Sequence, residues 1–129
     1  MIISHKHKFI YLKTRKTAST SIEIALSSIC GKDDIITAIS AKDEEKRKEL
    51  GFNKAQNYTI PFSKYKKKDL FESIILFRLK KYYNHMPIRE IKKYIDKDIF
   101  REYFKFTIDR NPFDKVVSFY KYVGGNNEY

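Results

Sequence analysis

At 129 residues, 42% of them hydrophobic, the chain has the size and the apolar content of one domain with a single core. Lys and Arg outnumber Asp and Glu by 27 to 16, and the resulting formal charge of +11 favours an anionic partner: a nucleotide, a nucleic acid, a sulfated glycan or an acidic membrane. The single cysteine, Cys30, excludes an internal disulfide framework and is typical of a reducing compartment. Since the sequence has no apolar run long enough to span a bilayer and no signal-peptide stretch in residues 1–8, we expect a soluble, cytoplasmic protein.

The chain opens with a pattern of strand, polar loop and helix. Residues 9–12 form a short continuous apolar run, which is typical of a central parallel strand covered on both faces. After the polar residues 13–20, apolar side chains recur at helical spacing over residues 22–29, and Gly31 follows as a stop signal. We therefore expect a buried strand that leads through a polar loop into a helix.

The middle of the chain is predicted to be a surface segment that contains further helices. Residues 42–50 are charged and predicted to be helical, whereas residues 51–65 are expected to be irregular around Pro61. The length of the apolar stretch 69–83 favours a buried helix over a strand. An amphipathic helix is predicted over residues 88–95, with a proline near its first turn.

A second strand, loop and helix close the sequence. Residues 104–108 predict a strand, residues 109–112 a loop, and the following segment a helix that ends at residues 124–127 and whose Phe113, Val116, Val117 and Tyr120 face inward. Two such units predict an α/β fold with a short parallel sheet and right-handed crossovers. Ligands of such sheets bind beyond the carboxyl ends of the strands, where both polar loops would lie.

The loop after the first strand has the composition of an anion site. A strand-to-helix loop aims backbone N–H groups and a helix dipole at an anion. Lys16 adds a cation, and four hydroxyl side chains follow within five positions: Thr17, Ser19, Thr20 and Ser21. The alternative is a simple capping box of Thr20 with Glu23, which is commoner than a phosphate site. The loop lacks the glycine and the Gly-Lys-Ser/Thr ending of a Walker motif, so a metal-free phosphate or phosphosulfate site fits better than a magnesium-dependent triphosphatase.

The loop after the later strand offers a second anion contact. The guanidinium of Arg110 is able to grip a phosphate through two parallel hydrogen bonds, although a surface ion pair is its alternative role. Asn111 and Pro112 are expected to be the helix cap and the first helical residue. Ser118 follows Asn111 by seven residues, about two helical turns, so it projects to the same side as Arg110.

Together the two loops resemble the sulfotransferase family. Residues 16–21, Lys-Thr-Ala-Ser-Thr-Ser, resemble its 5′-phosphosulfate loop, and residues 110–120, from Arg-Asn-Pro to Ser-Phe-Tyr, resemble its 3′-phosphate motif. The likeness is closest to the branch that modifies carbohydrates. The resemblance implies a single sulfotransferase-like domain over residues 1–129, with a P-loop-NTPase-like core. It also implies that the chain is a shortened or truncated member, with a fragment, a degenerate copy and one half of a split protein as the alternatives, because members of the family generally continue past the 3′-phosphate motif.

The resemblance also implies roles for individual residues. Lys16 would contact the bridging oxygen and the leaving phosphate of the co-substrate 3′-phosphoadenosine 5′-phosphosulfate. Thr17, Ser19, Thr20 and Ser21 would bind the 5′-phosphosulfate, and Arg110 with Ser118 the 3′-phosphate. His85, between the motifs, matches the position of a catalytic base, and an exposed structural histidine is the alternative. The acceptor would be a hydroxyl of a carbohydrate or small molecule, and no metal is required.

Two other functions stay open. A P-loop-like phosphate or nucleotide transferase would share the strand, loop and helix but would require magnesium. A non-catalytic binder of nucleic acid or acidic glycan would fit the charge and the 16% aromatic content. No nucleic-acid module is recognisable, however, and several aromatic residues fall at positions expected to be core: Phe9, Phe106 and Tyr120.

Overall fold

The computed structural model describes residues 1–124, which form a four-stranded sheet with helices around it. The strands are β1 (Ile2–Ser4), β2 (Phe9–Tyr11), β3 (Ile35–Ile36) and β4 (Phe104–Phe106). The helices are α1 (Ser19–Ser27), α2 (Ala41–Glu49), α3 (Lys67–Leu76), α4 (Ile88–Tyr94), α5 (Lys97–Glu102) and α6 (Pro112–Tyr122), and a 3₁₀ turn covers Phe62–Lys64. The α/β class predicted from the sequence is confirmed.

The sheet is mixed, with the strand order β3-β1-β2-β4. β1 runs antiparallel to both β2 and β3, whereas β2 and β4 run parallel with Phe9 opposite Phe104. The predicted parallel sheet is therefore wrong on the β1 side. The reason is the turn at residues 5–8, because so short a connection joins antiparallel strands, while parallel strands need a long crossover.

Side chains along β1 and β2 point alternately to the two faces of the sheet, and both faces are covered by other parts of the chain. Ile3 pairs with Ile10 on one face, in a core that includes Ile91 from α4. Ile2 pairs with Tyr11 on the other face, where α1 packs through half-buried apolar residues. The prediction that residues 9–12 form a central strand covered on both faces is confirmed, and α1 follows as predicted.

The middle of the chain agrees with the predictions except at α3 and just after it. The expected burial of α3 is wrong, because Phe71, Ile74 and Ile75 are all more than half exposed. Helices α2 and α4 and the irregular segment 51–65 lie where the sequence predicts them, whereas α5 was not predicted. The helix expected over residues 69–83 ends at Leu76, because Phe77 adopts a left-handed conformation with φ 47°. The chain beyond it is extended, and Ile60 donates its N–H to the Lys80 carbonyl at 3.0 Å.

The last helix, α6, begins as predicted but does not bury the face that was expected to point inward. Phe113 is 81% exposed, and Val116, Val117 and Tyr120 are all more than half exposed. An apolar stripe shows that a helix has an apolar face but does not determine what covers it. Gly124, with φ +110°, follows α6, and residues 125–127 of the predicted helix end lie outside the described residues.

No helix within residues 1–124 combines the length and the apolar content that a membrane span requires.

Candidate functional site

The loops after β2 and β4 open into one cleft of about 680 Å³. Every residue that the sequence analysis assigned to the site lines this cleft: Lys16, Thr17, Ser19, Thr20, Ser21, His85, Arg110 and Ser118. The two strands deliver the loops to the same place because they are parallel neighbours, and Leu12 extends their ladder by donating its N–H to the Phe106 carbonyl at 2.9 Å. The structure therefore brings together residues that lie up to 102 positions apart in the sequence.

Positive charge dominates the cleft. Among residues 1–124, four cationic side chains line it: Lys13, Arg15, Lys16 and Arg110. The one carboxylate in this described lining, Asp43, accepts a hydrogen bond of 2.6 Å from the hydroxyl of Ser40 at the start of α2. A concave site with this excess of cations attracts a polyanionic ligand.

The start of α1 presents backbone donors to the cleft. Its N-cap is Ala18, which adopts a left-handed conformation and has no side chain able to accept a hydrogen bond from the first turn. The first N–H groups of a helix have no intrahelical acceptor, and the helix dipole makes this end partly positive. The alternative capping box of Thr20 with Glu23 is wrong, because α1 begins at Ser19, so Thr20 lies inside the helix and is not its N-cap.

The four hydroxyl side chains of the first loop divide into two pairs. Thr17 and Ser19 are buried and serve the loop itself: the Ser19 hydroxyl donates to the Thr14 carbonyl at 2.6 Å, and the hydroxyls of Thr17 and Thr14 lie 2.9 Å apart. Thr20 is half-buried and Ser21 is exposed, so their hydroxyls are the more accessible ones in the cleft. Thr17 and Ser19 thus shape the loop and retain their backbone N–H groups for an anion.

A buried carboxylate anchors the base of this loop. Glu23, at 0% exposure, lies 3.0 Å from the Lys13 ammonium, 3.7 Å from the Arg47 guanidinium and 2.8 Å from the Met1 amino group. These three groups come from separate segments, so Glu23 ties α1 to α2 and to both central strands. This cluster was not predicted, because in the sequence Glu23 has the spacing of a capping residue and Arg47 that of an exposed residue on a charged helix.

His85 faces the cleft in a defined tautomer. Its Nδ1 lies 3.0 Å from the Lys13 carbonyl, and since a carbonyl only accepts, Nδ1 carries the proton and Nε2 keeps a lone pair. Burial lowers the pKa of His85 below its usual 6.5, although the bond to the Lys13 carbonyl opposes this shift. The imidazole is therefore neutral at pH 7, as a base must be.

The second loop is shaped by its own side chains. Asn111 caps α6 by accepting the Phe113 N–H at 3.0 Å, and Pro112 is the first helical residue, as predicted. Arg110 is about half exposed and lies 3.7 Å from the Asp114 carboxylate, a loose surface pair that an anion can displace. Ser118 lines the cleft together with Arg110, as the spacing of two helical turns predicts.

One contact across the cleft was not predicted. The Lys16 ammonium lies over the ring of Tyr122, 4.3 Å from its centre, and therefore joins the first loop to the end of α6. Its sequence signal, one of two tyrosines in an amphipathic helix, is too common to identify such a partner.

Groups of three or more His, Cys, Asp or Glu able to hold a metal ion do not occur in residues 1–124. Among known proteins, the model of the sulfotransferase family matches residues 1–128 of this chain. No curated protein and no solved structure matches it.

Proposed function

Because this chain belongs to the sulfotransferase family, we propose that it transfers a sulfuryl group from 3′-phosphoadenosine 5′-phosphosulfate to a hydroxyl of a carbohydrate or small molecule. The observation that carries the proposal is the single cleft into which two separate loops open, one with Lys16 and one with Arg110. A ligand with phosphate groups at both ends of an adenosine matches such a pair of loops. The loop between β2 and α1 would then correspond to the phosphate loop of a P-loop-like core.

The first loop would hold the phosphosulfate. Backbone N–H groups at the start of α1 and the hydroxyls of Thr20 and Ser21 donate to its oxygens, and the Lys16 ammonium lies beside the bridging oxygen. Negative charge builds on the 5′-phosphate as it leaves. Donors that are already oriented stabilise this charge without reorganisation, which is the largest contribution that such a site makes to the rate.

The second loop would hold the 3′-phosphate through Arg110 and Ser118. This contact distinguishes the donor from ATP, which has no phosphate at the 3′ position. It also fixes the far end of the donor, so that the sulfur is presented in one orientation to the acceptor.

His85 would act as the general base. Its Nε2 lone pair takes the proton of the acceptor hydroxyl while the acceptor oxygen forms a bond to sulfur. The bond between sulfur and the bridging oxygen breaks, and its electron pair stays on the 5′-phosphate. The products are the sulfate ester, adenosine 3′,5′-bisphosphate and one proton on His85.

Calorimetric titration with adenosine 3′,5′-bisphosphate, without magnesium, tests the donor site. We expect the wild type to bind this product and to bind ATP at least about tenfold more weakly, because the 3′ contact is missing. Lys16→Ala and Arg110→Ala should each weaken binding of the bisphosphate by about tenfold or more.

Matched controls change the net charge by the same amount outside the cleft. Lys46→Ala removes an exposed cation that pairs with Glu49, and Arg101→Ala removes one that pairs with Asp98 and Glu102. Both variants should bind within about twofold of the wild type. Equal losses in all four variants would indicate general charge attraction, and preferential binding of ATP with magnesium would favour the phosphate-transferase alternative.

A further inference from the structure

One hydroxyl group links the two loops of the cleft. Thr14 donates its O–H to the carbonyl of Ile108 at 2.8 Å, across 94 positions of sequence. A threonine hydroxyl has one proton, so the 2.9 Å contact between Thr14 and Thr17 must have Thr17 as its donor. The result is a chain of hydrogen bonds from Thr17 through Thr14 to Ile108, which lies two residues before Arg110.

The loop with Arg110 has little other support. The ladder between the strands ends with Leu12 and Phe106, and beyond it the Thr107 hydroxyl reaches Thr14 only at 3.5 Å. The apolar face of α6 is exposed within the described residues, so packing of that helix does not fix the loop. Among residues 1–124, the bond from Thr14 to Ile108 is therefore the short hydrogen bond that joins the two loops beyond the end of the ladder, while the Lys16–Tyr122 contact reaches only the far end of α6.

We propose that Thr14 is a positioning residue that couples the two anion-binding loops, so that one ligand carrying two phosphates engages both at once. The inference rests on the proposed function, because it takes the bisphosphate end groups as the ligand of the two loops. The physical gain is that of a chelate: once one phosphate is bound, the second meets a loop that is already at the correct distance. The motif resemblance assigns no role to Thr14.

The test separates coupling from ordinary structural damage by comparing ligands with one and with two phosphates. Thr14→Val keeps the shape of the side chain and removes the hydroxyl, Thr14→Ser retains the hydroxyl, and Thr107→Val makes the matched change at the neighbouring strand end. Thr14→Ala removes the same hydroxyl without the added methyl group and replaces the valine variant if that one does not fold. The ligands are adenosine 3′,5′-bisphosphate, adenosine 3′-phosphate and adenosine 5′-phosphate.

We expect Thr14→Val to weaken binding of the bisphosphate by about tenfold. Binding of each monophosphate should weaken by less than about twofold, because each monophosphate needs one loop only. Thr14→Ser and Thr107→Val should stay within about twofold of the wild type for all three ligands. An unchanged bisphosphate affinity would overturn the inference. So would an equal loss for the monophosphates, since Thr14 would then act within one loop.

A second measurement decides the coupling without any ligand. Hydrogen exchange of the Leu12 amide, which donates to the Phe106 carbonyl next to the lost bond, should become several times faster in Thr14→Val, while exchange in α2 stays unchanged. Unchanged exchange at Leu12 would overturn the inference. Failure of the wild type to bind the bisphosphate contradicts the proposed function instead, and in that case the exchange rates alone decide whether Thr14 couples the loops.

Discussion

The ammonium group of Lys16 stacks on the ring of Tyr122, with 4.3 Å between the nitrogen and the ring centre. Lys16 itself has a positive φ of 60°, so the backbone of the loop already turns its side chain in a restricted direction. The contact holds a flexible lysine at the wall of the cleft before any ligand arrives.

Replacing Tyr122 by leucine should weaken binding of adenosine 3′,5′-bisphosphate by about two- to fivefold, because an exposed cation–π contact contributes about 0.5–1 kcal/mol. Tyr122→Phe keeps the ring and should bind like the wild type. Calorimetric titration measures both. Tighter binding by Tyr122→Leu would contradict this account, because it would show that the ring competes with the ligand for Lys16.

Replacing Glu23 by glutamine should lower the free energy of unfolding by about 3–5 kcal/mol, because the buried ammonium of Lys13 loses its counter-charge, whereas Arg47 keeps its closer pair with Glu44. Urea unfolding measures the change. Glu49→Gln is the matched control: Glu49 is exposed and pairs with exposed Lys46, so about 0–1 kcal/mol is expected. Similar effects of the two substitutions would show that the buried cluster is not the anchor of the loop.

The lowered pKa of His85 sets the direction of a pH dependence. If the neutral imidazole acts as the base, as proposed, the rate of sulfuryl transfer is constant above pH 7 and falls as the pH drops below 6.5 through the lowered pKa. The same shift means that the unfolded chain binds more protons in this window, so the contribution of His85 to stability also decreases below pH 6.5. Release of adenosine 3′,5′-bisphosphate from the donor, with water or a panel of monosaccharides as acceptor, measures the rate.

His85→Asn should reduce that rate by about a hundredfold or more and leave bisphosphate affinity within about twofold, because the base does not hold the donor. His7→Asn is the control, since His7 is exposed and contacts the Ile29 carbonyl. A rate that persists in His85→Asn would assign His85 the structural role instead.

Burial raises the pKa of the Cys30 thiol to about 12, and its Sγ donates to the Leu26 carbonyl at 3.3 Å. Alkylation at pH 8 should therefore be at least about a hundredfold slower in the folded protein than in urea, because the thiolate is the reactive form. Mass spectrometry follows the modification. Equal rates in both conditions would show that the segment after α1 opens readily.

Local patterns predicted the elements that carry the site. The apolar run of β2, the helical spacing in α1 and the Asn111 cap before Pro112 are all properties of neighbouring residues, and the structure contains them. The spacing of Ser118 after Asn111 likewise placed it beside Arg110 in the cleft.

Features that depend on distant partners could not be predicted in this way. The antiparallel pairing of β1 depends on a turn of four residues with no strong turn signal, and α5 is only six residues long. The role of Glu23 requires cations from residues 1, 13 and 47 to converge, and that of Thr14 requires a carbonyl 94 positions away. The exposed apolar face of α6 is a further example. Helical periodicity identifies the apolar face of a helix, but it does not say whether another element packs on that face.

The measurement that tests the central claim most directly is a ³¹P NMR titration of adenosine 3′,5′-bisphosphate with the wild type, Lys16→Ala and Arg110→Ala. The two phosphorus nuclei give separate signals, so each reports on one loop. If the two loops hold opposite ends of one ligand, both signals shift with the wild type, Arg110→Ala suppresses mainly the 3′ response, and Lys16→Ala mainly the 5′ response. A wild type that shifts neither signal, or variants that suppress both responses equally, would contradict the assignment of one phosphate to each loop.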